Sequence, residues 1–400
     1  MTRRGVLTGR SRLRTGLSRL LLSLAAATAL GSGATAAPHL PASDATVLAE
    51  LPAGTRHASL PARALTATRI DVALPLAQFN ISRARATGDL RYLGYADAIL
   101  APWMKQPTVA PEVLVLDATI LQSRHAFDAS LAELDRALRV RPDNAQGWLT
   151  RATVLRVLGR YDEALSSCGH LEGSADPVVA SLCVQSLRGL TGHLREAYAR
   201  VVSLSAAGVS PEIRAWRFSE LGEMAERLGR DDDAERWFRE GLQVVPGDFY
   251  VRSACADLLL RHDRAADALQ LMAGYDSMEP VLLRIAIAHR ALHDGAGQRA
   301  DEMLSNAFAV EDQRGEAVHR REQARFLLDV DHKPADALAA ARENWRVQRE
   351  PDDALILLRA AQAAGQPREA DPAREFLGRT GLEDSRLKPY LAASPRAGAS

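Results

Sequence analysis

The sequence predicts an all-α fold in which helical hairpins stack into a solenoid. Small residues recur in pairs five positions apart, usually glycine and then alanine, through most of the 400-residue chain. The composition is rich in alanine, and aromatic residues make up only 5%, which favours closely packed helices over a β-sandwich. From residue 70 onward, amphipathic helical patterns alternate with short turns, and no segment reads convincingly as a strand.

Nine pairs of positions mark the units of this repeat. From Ser130 onward, the second members of the pairs follow one another at steps of 32 to 37 residues. A period in this range is typical of one helical hairpin per repeat. The pairs are Gly88/Leu93, His125/Ser130, Gly159/Ala164, Gly192/Ala197, Gly229/Ala234, Asp263/Ala268, Gly295/Ala300, His332/Ala337 and Gly365/Ala370.

Each recurring residue has a predicted role in its hairpin. The first member is expected to end the first helix at positive φ, which glycine adopts without a steric cost and which Asp or His tolerates. The alanine is expected where the second helix crosses the first. A large apolar residue four positions later, such as Phe238, lies on the same helical face and fills the space towards the next unit. A late proline such as Pro246 is expected to end the second helix.

Residues 215–248 form the clearest single unit. It reads Phe218-x2-Leu221-Gly222-x2-Ala225, then Gly229, then Ala234-x3-Phe238, then Pro246. This order resembles the tetratricopeptide repeat (TPR), in which Trp-x2-Leu-Gly-x2-Tyr is followed by Ala-x3-Phe and Pro. The resemblance implies a right-handed superhelix of about nine TPR-type hairpins over residues 70–385, with degenerate first and last units. A generic helical bundle is the alternative.

The N-terminus is predicted to be an export signal over residues 1–36. A basic region precedes an apolar stretch from Leu20 to Leu30, and Ala34-Thr35-Ala36 offers small residues for cleavage. The stretch is too short to cross a bilayer as a helix, although an uncleaved anchor is an alternative. Residues 37–69 are predicted to be a linker of low order, and residues 386–400 a disordered tail. We therefore expect a periplasmic or secreted protein with no stable membrane span in the mature chain.

The charge of the chain bears on the class of partner. The first 36 residues hold six arginines and no acidic residue, so the remainder carries 44 basic against 50 acidic residues, a net charge of −6. A net negative chain has no general attraction to nucleic acid. We expect a protein or peptide partner and no nucleic-acid partner.

No catalytic or cofactor motif is found in the sequence. Phosphate-binding loops, nucleophile elbows and zinc-protease motifs are all missing, so we predict no enzyme activity, no cofactor and no metal. His289 and His293 share one helix face, but two ligands make a poor metal site. An enzyme with an unrecognised site near these histidines is the alternative hypothesis.

Three cysteines bear on the compartment. Cys168 is predicted late in the second helix of one unit and Cys183 in the first helix of the next, and these helices are neighbours in a TPR stack. A disulfide is therefore geometrically possible, and two unpaired cysteines in an interhelical seam are the alternative. Cys255 aligns with an apolar core position.

The TPR resemblance implies that the first helices line a concave groove that holds a partner segment. The residues placed there by the repeat register include Trp216, Glu223, Tyr250, Asp257 and His289. The two aromatic residues would be interface anchors, or they would only cover the core beneath them. The acidic residues indicate a basic or polar partner.

These observations predict a non-catalytic scaffold for protein–protein interaction in the cell envelope or periplasm. The alternative is a peptide- or saccharide-binding accessory protein that uses the groove around Trp216 and Tyr250. The oligomeric state is not predicted by the sequence.

Overall fold

Helices pair along almost the whole of the chain that the structure describes. This structure is a computed structural model, and it describes residues 69–275, 278–314 and 319–391. Its α-helices are α1 (Ile70–Thr87), α2 (Arg91–Met104), α3 (Pro111–Ser123), α4 (Phe127–Val140), α5 (Ala145–Val157), α6 (Tyr161–Gly169), α7 (Pro177–Arg188), α8 (Leu194–Ser203), α9 (Pro211–Arg227), α10 (Asp231–Val244), α11 (Phe249–Arg261), α12 (Ala265–Met272), α13 (Glu279–Ala291), α14 (Gln298–Arg314), α15 (Arg320–Asp329), α16 (Pro334–Val347), α17 (Pro351–Ala363), α18 (Asp371–Thr380) and α19 (Lys388–Leu391). Three short 3-10 helices span Gly295–Gly297, Pro367–Ala370 and Ser385–Leu387.

Successive helices form hairpins that stack in chain order. Hairpin 1 is α1 and α2, and the numbering continues to hairpin 9, which is α17 and α18. Within each hairpin the two helices pack together, and each first helix also contacts the first helix of the next hairpin. The described residues contain no β-strand. This arrangement confirms the predicted all-α solenoid of helical hairpins.

A left-handed residue follows every first helix. The nine residues are Gly88, His125, Gly159, Gly192, Gly229, Asp263, His293, His332 and Gly365, with φ between 55° and 79°. Eight of them are the first members of the predicted pairs, including the predicted Asp263, His125 and His332. The left-handed conformation ends a helix by turning the chain away from the helix axis. The turn therefore forms even where the residue carries a side chain.

Hairpin 7 departs from the prediction. We expected Gly295 to end its first helix, but the left-handed residue is His293, with φ 55°. Gly295 instead starts a 3-10 turn that Asp294 caps by accepting a hydrogen bond from the backbone N–H of Ala296 at 3.1 Å. The extra turn lengthens the connection, so the predicted register of α13 is wrong by two residues.

The starts of six first helices follow from local chemistry. Asn144 and Asp248 cap α5 and α11 by accepting hydrogen bonds from backbone N–H groups three residues later, at 2.8 Å and 3.1 Å. Such caps satisfy amide donors that the helix itself leaves without partners. Proline begins α3, α7, α9 and α17, where its missing N–H and fixed φ suit the first helical position.

The crossing of the two helices in hairpin 5 shows why small residues recur. Ala234 is fully buried, and a Cβ on Gly222 of α9 would overlap the ring of Phe238 on α10. Phe238 is itself fully buried. The predicted pattern therefore brings two helices close enough for one ring to fill the space between them.

The last two hairpins pack back against earlier ones. One hydrophobic cluster joins residues of hairpins 2 to 4 with residues of hairpins 8 and 9. At Gly159, an added Cβ would lie 2.9 Å from the Phe376 ring. Nearby, Tyr161 donates from its hydroxyl to the backbone oxygen of Arg349 at 3.0 Å, and the Arg349 N–H donates to the Val157 oxygen at 2.8 Å. This contact encloses a space between the first helices of the later hairpins.

The C-terminal segment differs from its prediction. We expected residues 386–400 to be disordered, but Ser385–Leu387 form a 3-10 helix and Lys388–Leu391 a short α-helix. Leu387 is buried in the cluster that joins hairpins 2 to 4 with 8 and 9. Burial of Leu387 and the ion pairs of Arg386 hold the segment in place. A prediction from composition alone cannot include such contacts.

Other sequence predictions fall outside the described residues. These are the export signal over residues 1–36, the linker over residues 37–69 apart from Arg69, and the tail over residues 392–400. Within the described residues, no helix combines the length and the apolar character needed to cross a membrane.

Candidate functional site

The first helices of hairpins 5 to 9 surround a cavity of about 1130 Å³. Helices α9, α11, α13, α15 and α17 contribute its walls, together with Arg156 of α5 and the residues Arg386, Pro389 and Tyr390 of the C-terminal segment. In a stack of hairpins the first helices share one face, so their polar side chains converge on the same space. We call this space the inner cavity.

Three of the predicted groove residues line the inner cavity. These are Glu223 on α9 and Tyr250 and Asp257 on α11. Tyr250 is 51% exposed, so its ring presents a flat apolar face among charged side chains. The register of hairpins 5 and 6 is therefore placed as the sequence predicted.

Trp216 does not line the inner cavity. It is half-buried against both large core clusters, and its indole N–H donates to Glu220 Oε1 at 3.1 Å. Trp216 thus covers the core, which was one of the two roles that the sequence left open. Tyr250 therefore lies in the inner cavity without Trp216, and Phe249 and Tyr390 are the other aromatic residues that line it.

His289 also lies away from the inner cavity. Its Nδ1 is 2.7 Å from Asp294 Oδ1, within the turn that follows α13. The two-residue error in register explains the difference, because Arg284 and Ile287 of α13 line the cavity instead. His293 reaches the cavity from its left-handed turn, so the two histidines do not act as a pair.

Asp257 is held between two arginines from different hairpins. Arg284 of α13 donates to its two carboxylate oxygens at 3.1 Å and 2.7 Å, and Arg325 of α15 donates at 2.8 Å and 2.9 Å. Burial opposes ionisation of Asp257, but the two guanidinium groups outweigh it and hold its pKa well below the usual range. Such paired contacts are strong and fix the geometry of three helices at once.

A second ionic cluster surrounds Glu223. Tyr250 donates from its hydroxyl to Glu223 Oε1 at 2.7 Å, and Arg156 lies 3.4 Å from Glu223 Oε2 and 2.9 Å from Glu220 Oε1. Burial, together with the neighbouring Glu220, raises the pKa of Glu223 to about 7. Although the Tyr250 residue is half exposed, its hydroxyl lies in this cluster, and the loss of water there together with the carboxylates of Glu223 and Glu350 raises the pKa of Tyr250. The hydroxyl therefore keeps its proton and remains a donor.

Glu226 is also neutralised by arginine. Arg261 lies 2.5 Å from its Oε1 and Arg386 of the C-terminal segment lies 3.1 Å from its Oε2. The acidic groove positions suggested a basic or polar partner. In the structure, arginines of other inner helices pair with Glu223, Glu226 and Asp257, so these acidic groups do not by themselves indicate the charge of the partner.

The inner cavity as a whole carries mixed charge with a small excess of arginine. Among the described residues that line it, nine are arginines and seven are acidic. The arginines are Arg156, Arg227, Arg261, Arg284, Arg290, Arg321, Arg325, Arg359 and Arg386, and the acidic residues are Glu223, Glu226, Asp257, Glu322, Asp329, Glu350 and Asp352. Apolar side chains such as Ile287, Leu328 and Leu355 separate these charges. The surface therefore suits a ligand with both polar and apolar groups.

Ser253 adds a hydrogen-bonding group without a protein partner. It lies on the cavity face of α11 between Tyr250 and Asp257 and is only 7% exposed. Its hydroxyl makes no hydrogen bond to any described protein group. A buried hydroxyl without a partner loses its hydration, so a ligand group that reached Ser253 would supply the missing hydrogen bond.

The arginines that organise the cavity were not predicted from the sequence. The missed residues are Arg284, Arg325 and Arg386. The position of Arg284 could have been predicted. Histidine ends the first helix in two other hairpins, so His293 was a candidate for the same role. Choosing His293 would have shifted the register of α13 by two residues. Arg325 contacts Asp257, 68 positions earlier in the sequence, and Arg386 contacts Glu226, 160 positions earlier. A local sequence pattern cannot predict such contacts.

The cysteines form the disulfide that the sequence left as one of two alternatives. Cys168 at the end of α6 is bonded to Cys183 of α7, with their Cα atoms 5.6 Å apart. The bond joins hairpin 3 to hairpin 4. Cys255 is buried and free, as its alignment with a core position predicted, and burial raises its pKa to about 11.

The described residues show no arrangement suited to a metal ion. No group of three or more His, Cys, Asp or Glu side chains among them has a metal-binding geometry. The carboxylates of the inner cavity instead face guanidinium groups.

Comparison with protein-family models and with curated proteins gave no match. Solved structures that are similar to this chain include TTC0263, a thermophilic TPR protein of Thermus thermophilus, at 21% identity and a TM-score of 0.38, with 46% of this chain and 99% of that chain covered. A second is the APC/C hetero-tetramer Cut9–Hcn1, at 12% identity and a TM-score of 0.49, with 82% and 64% covered.

A third similar structure is the human IFIT1 dimer with m7Gppp-AAAA, at 11% identity and a TM-score of 0.47, with 80% of this chain and 84% of that chain covered. Our assignment of the fold rests on this chain's own geometry. Its paired helices, the contacts between successive first helices and the left-handed turns between described helices give it the architecture of a TPR-type α-solenoid.

Proposed function

We propose that this protein is a non-catalytic scaffold that binds a segment of a partner protein in the inner cavity. The observation that carries the proposal is the half-exposed ring of Tyr250 beside the unpartnered hydroxyl of Ser253, inside a cavity lined by five first helices. An aromatic ring with neighbouring polar groups is the usual composition of an interface anchor.

The size and chemistry of the cavity favour a peptide segment. Small-molecule pockets usually enclose about 300–1,000 Å³, and this cavity reaches about 1130 Å³. A peptide segment offers backbone donors and acceptors, charged groups and apolar side chains together. The mixed lining of arginines, carboxylates and aliphatic residues can meet all three.

A saccharide is the less favoured ligand. Sugar rings commonly stack on aromatic faces, and the sequence suggested that Trp216 and Tyr250 would offer two such faces. Of these two, only Tyr250 lies in the inner cavity, because Trp216 packs on the core and donates to Glu220. Phe249 and Tyr390 also line the cavity, but its nine arginines and seven acidic residues suit the mixed groups of a protein segment better.

A non-catalytic role agrees with the state of two acidic residues of the inner cavity. Asp257 and Glu226 are each held by two arginines. A general base needs a carboxylate within reach of a substrate proton, whereas these groups are engaged in holding the inner helices together.

We further propose that the protein is exported and acts in the cell envelope or periplasm. The proposal rests on the basic and apolar pattern of residues 1–36. The disulfide between Cys168 and Cys183 supports it, because such bonds persist in oxidising compartments. Fractionation of the source cells, followed by mass measurement under non-reducing conditions, should find the chain outside the cytoplasm and lacking about 36 residues. Full-length chain in the cytoplasm would contradict the proposal.

Partner binding can be tested with peptide libraries on the purified full chain. Enriched peptides are measured against the wild type and against Tyr250→Ala, with Tyr95→Ala as the matched control, because Tyr95 is partly exposed on α2 away from the inner cavity. We expect at least tenfold weaker binding for Tyr250→Ala and unchanged binding for Tyr95→Ala. Peptides that bind Tyr250→Ala as tightly as the wild type would overturn the proposal.

A further inference from the structure

The C-terminal segment Asp384–Leu391, which we call the strap, lines part of the inner cavity. It contains the 3-10 helix Ser385–Leu387 and the single turn α19, and it contacts both α9 and α17. Pro389 and Tyr390 lie on the cavity wall. The strap therefore shows which contacts a segment of chain makes with α9 and α17.

Arg386 is the polar anchor of the strap. Its Nη1 lies 3.1 Å from Glu226 Oε2 on α9 and 2.8 Å from Asp352 Oδ1 on α17. Its Nη2 lies 2.7 Å from Asp384 within the strap. Two helices from hairpins 5 and 9 thus supply the carboxylates for one guanidinium group.

The site that holds Arg386 can remain intact without it. Glu226 keeps its contact with Arg261 at 2.5 Å. The side chain of Asp352 is 58% exposed, so water can solvate its charge when the arginine leaves. Arg386 in turn keeps Asp384 as a partner within the strap. Neither side of the contact is left with a buried unpaired charge, and such a charge is what makes breaking an ion pair costly.

The strap has further anchors. Leu387 is 1% exposed, and the Ser385 hydroxyl donates to the backbone oxygen of Glu226 at 3.2 Å. Arg374 of α18 donates to the backbone oxygen of Tyr390 at 3.3 Å, and the Tyr390 side chain packs, partly buried, against the cluster that contains Leu387. Lys388, Pro389 and Leu391 are exposed. Arg386 thus makes the ionic contacts of the strap with α9 and α17.

We propose that Glu226 and Asp352 form a recognition subsite for an arginine side chain of the partner segment, and that the strap fills this subsite in cis. This inference rests on the proposed function and names its partner class, a segment in which arginine is followed by an apolar residue. Such a segment competes with Arg386-Leu387 for the same positions. The unpartnered Ser253 hydroxyl in the same cavity offers it a further hydrogen bond.

The strap itself supplies the probe. A labelled peptide with the sequence of residues 383–391, EDSRLKPYL, is titrated into the full chain and followed by fluorescence anisotropy. In the full-length variant Arg386→Glu, like charges repel Glu226 and Asp352 and release the strap. We expect this variant to bind the peptide at least tenfold more tightly than the wild type. Lys388→Glu, an equal charge change at an exposed strap position, should bind like the wild type.

A second peptide with alanine in place of its arginine completes the test. It should bind Arg386→Glu at least tenfold more weakly than the native peptide. Equal binding of the two peptides, or equal binding of the native peptide by the wild type and Arg386→Glu, would overturn the inference. If circular dichroism shows that Arg386→Glu does not fold, Arg386→Gln removes the same ion pairs and gives the same two outcomes.

This test separates the inference from the proposed function. If the strap peptide fails to bind Arg386→Glu while library peptides still depend on Tyr250, the arginine subsite is wrong and the binding role stands. If the strap peptide binds Arg386→Glu but library peptides ignore Tyr250→Ala, the subsite stands and the wider proposal fails.

Discussion

Hairpins 5 and 7 share one spacing of small residues but end their first helices in different ways. In hairpin 5 the predicted Gly229 takes the left-handed conformation, with φ 73°. In hairpin 7 that conformation belongs to His293, and the predicted Gly295 begins a 3-10 turn. A glycine in the pattern therefore does not by itself determine where the helix ends. The two-residue error at Gly295 also changes which residues of α13 are predicted to face the cavity.

The largest expected effect concerns the core of hairpin 5. Phe238→Ala removes a fully buried ring that fills the space beside Gly222, and we expect the free energy of unfolding to fall by about 3–5 kcal/mol. Chemical denaturation measures this loss. Phe79→Ala is the matched control, because Phe79 is 57% exposed. Equal losses at the two positions would break the account of the helix crossing.

The second prediction concerns the ion pairs of Asp257. One of its partners, Arg284, lies on hairpin 7 and reaches Asp257 only in the observed register. Its folded-state pKa is depressed by Arg284 and Arg325, so its stabilisation is present above the unfolded pKa of about 3.9 and is lost as the pH falls below it. At pH 7 we expect Asp257→Asn to lower the free energy of unfolding by about 1.5–3 kcal/mol. The difference from the wild type should shrink towards pH 2. Thermal melts across this range check it, and a difference independent of pH would count against the ion pairs.

A smaller effect is expected at the helix crossing itself. Ala234→Leu adds volume at a fully buried position, and overpacking of this kind costs about 1–3 kcal/mol. The melting temperature should fall accordingly. An unchanged melting temperature would mean that α10 does not cross α9 at Ala234.

The smallest effect contrasts the two glycines directly. Gly229→Ala places a Cβ at positive φ and should cost about 1–2 kcal/mol, because an L-residue is strained there. Gly295→Ala has neither positive φ nor any heavy atom within 4 Å of the added Cβ, so its effect should stay within about 0.5 kcal/mol. Denaturation midpoints that rank the two variants in the opposite order would contradict the turn assignment.

The sequence predicted the fold well because its determinants are local. A left-handed residue, a small crossing residue and a large apolar residue recur within each hairpin, and each acts on its own hairpin or the next. The prediction failed at Gly295 because two candidate helix ends, His293 and Gly295, lie two residues apart. The spacing between units varies from 32 to 37 residues, so it cannot distinguish two positions that are only two residues apart.

The residues of the candidate site were predicted only in part, because some of them are determined by contacts between hairpins and not by the repeat within each hairpin. Which face of each first helix lines the cavity follows from the repeat, so Glu223, Tyr250 and Asp257 were placed correctly. The charge of the cavity depends on contacts between hairpins, such as Arg325 with Asp257 and Arg386 with Glu226. Trp216 and the strap depend on the same long-range packing, which the repeat does not constrain.

Binding of a partner segment in the inner cavity can be tested by site-specific photo-cross-linking in the source cells. A photoreactive amino acid at Tyr250 should give a discrete adduct with a partner protein, and the same group at Tyr95 should give none. Release of the strap by Arg386→Glu should increase the adduct at Tyr250. An adduct at Tyr95 and none at Tyr250 would contradict the claim.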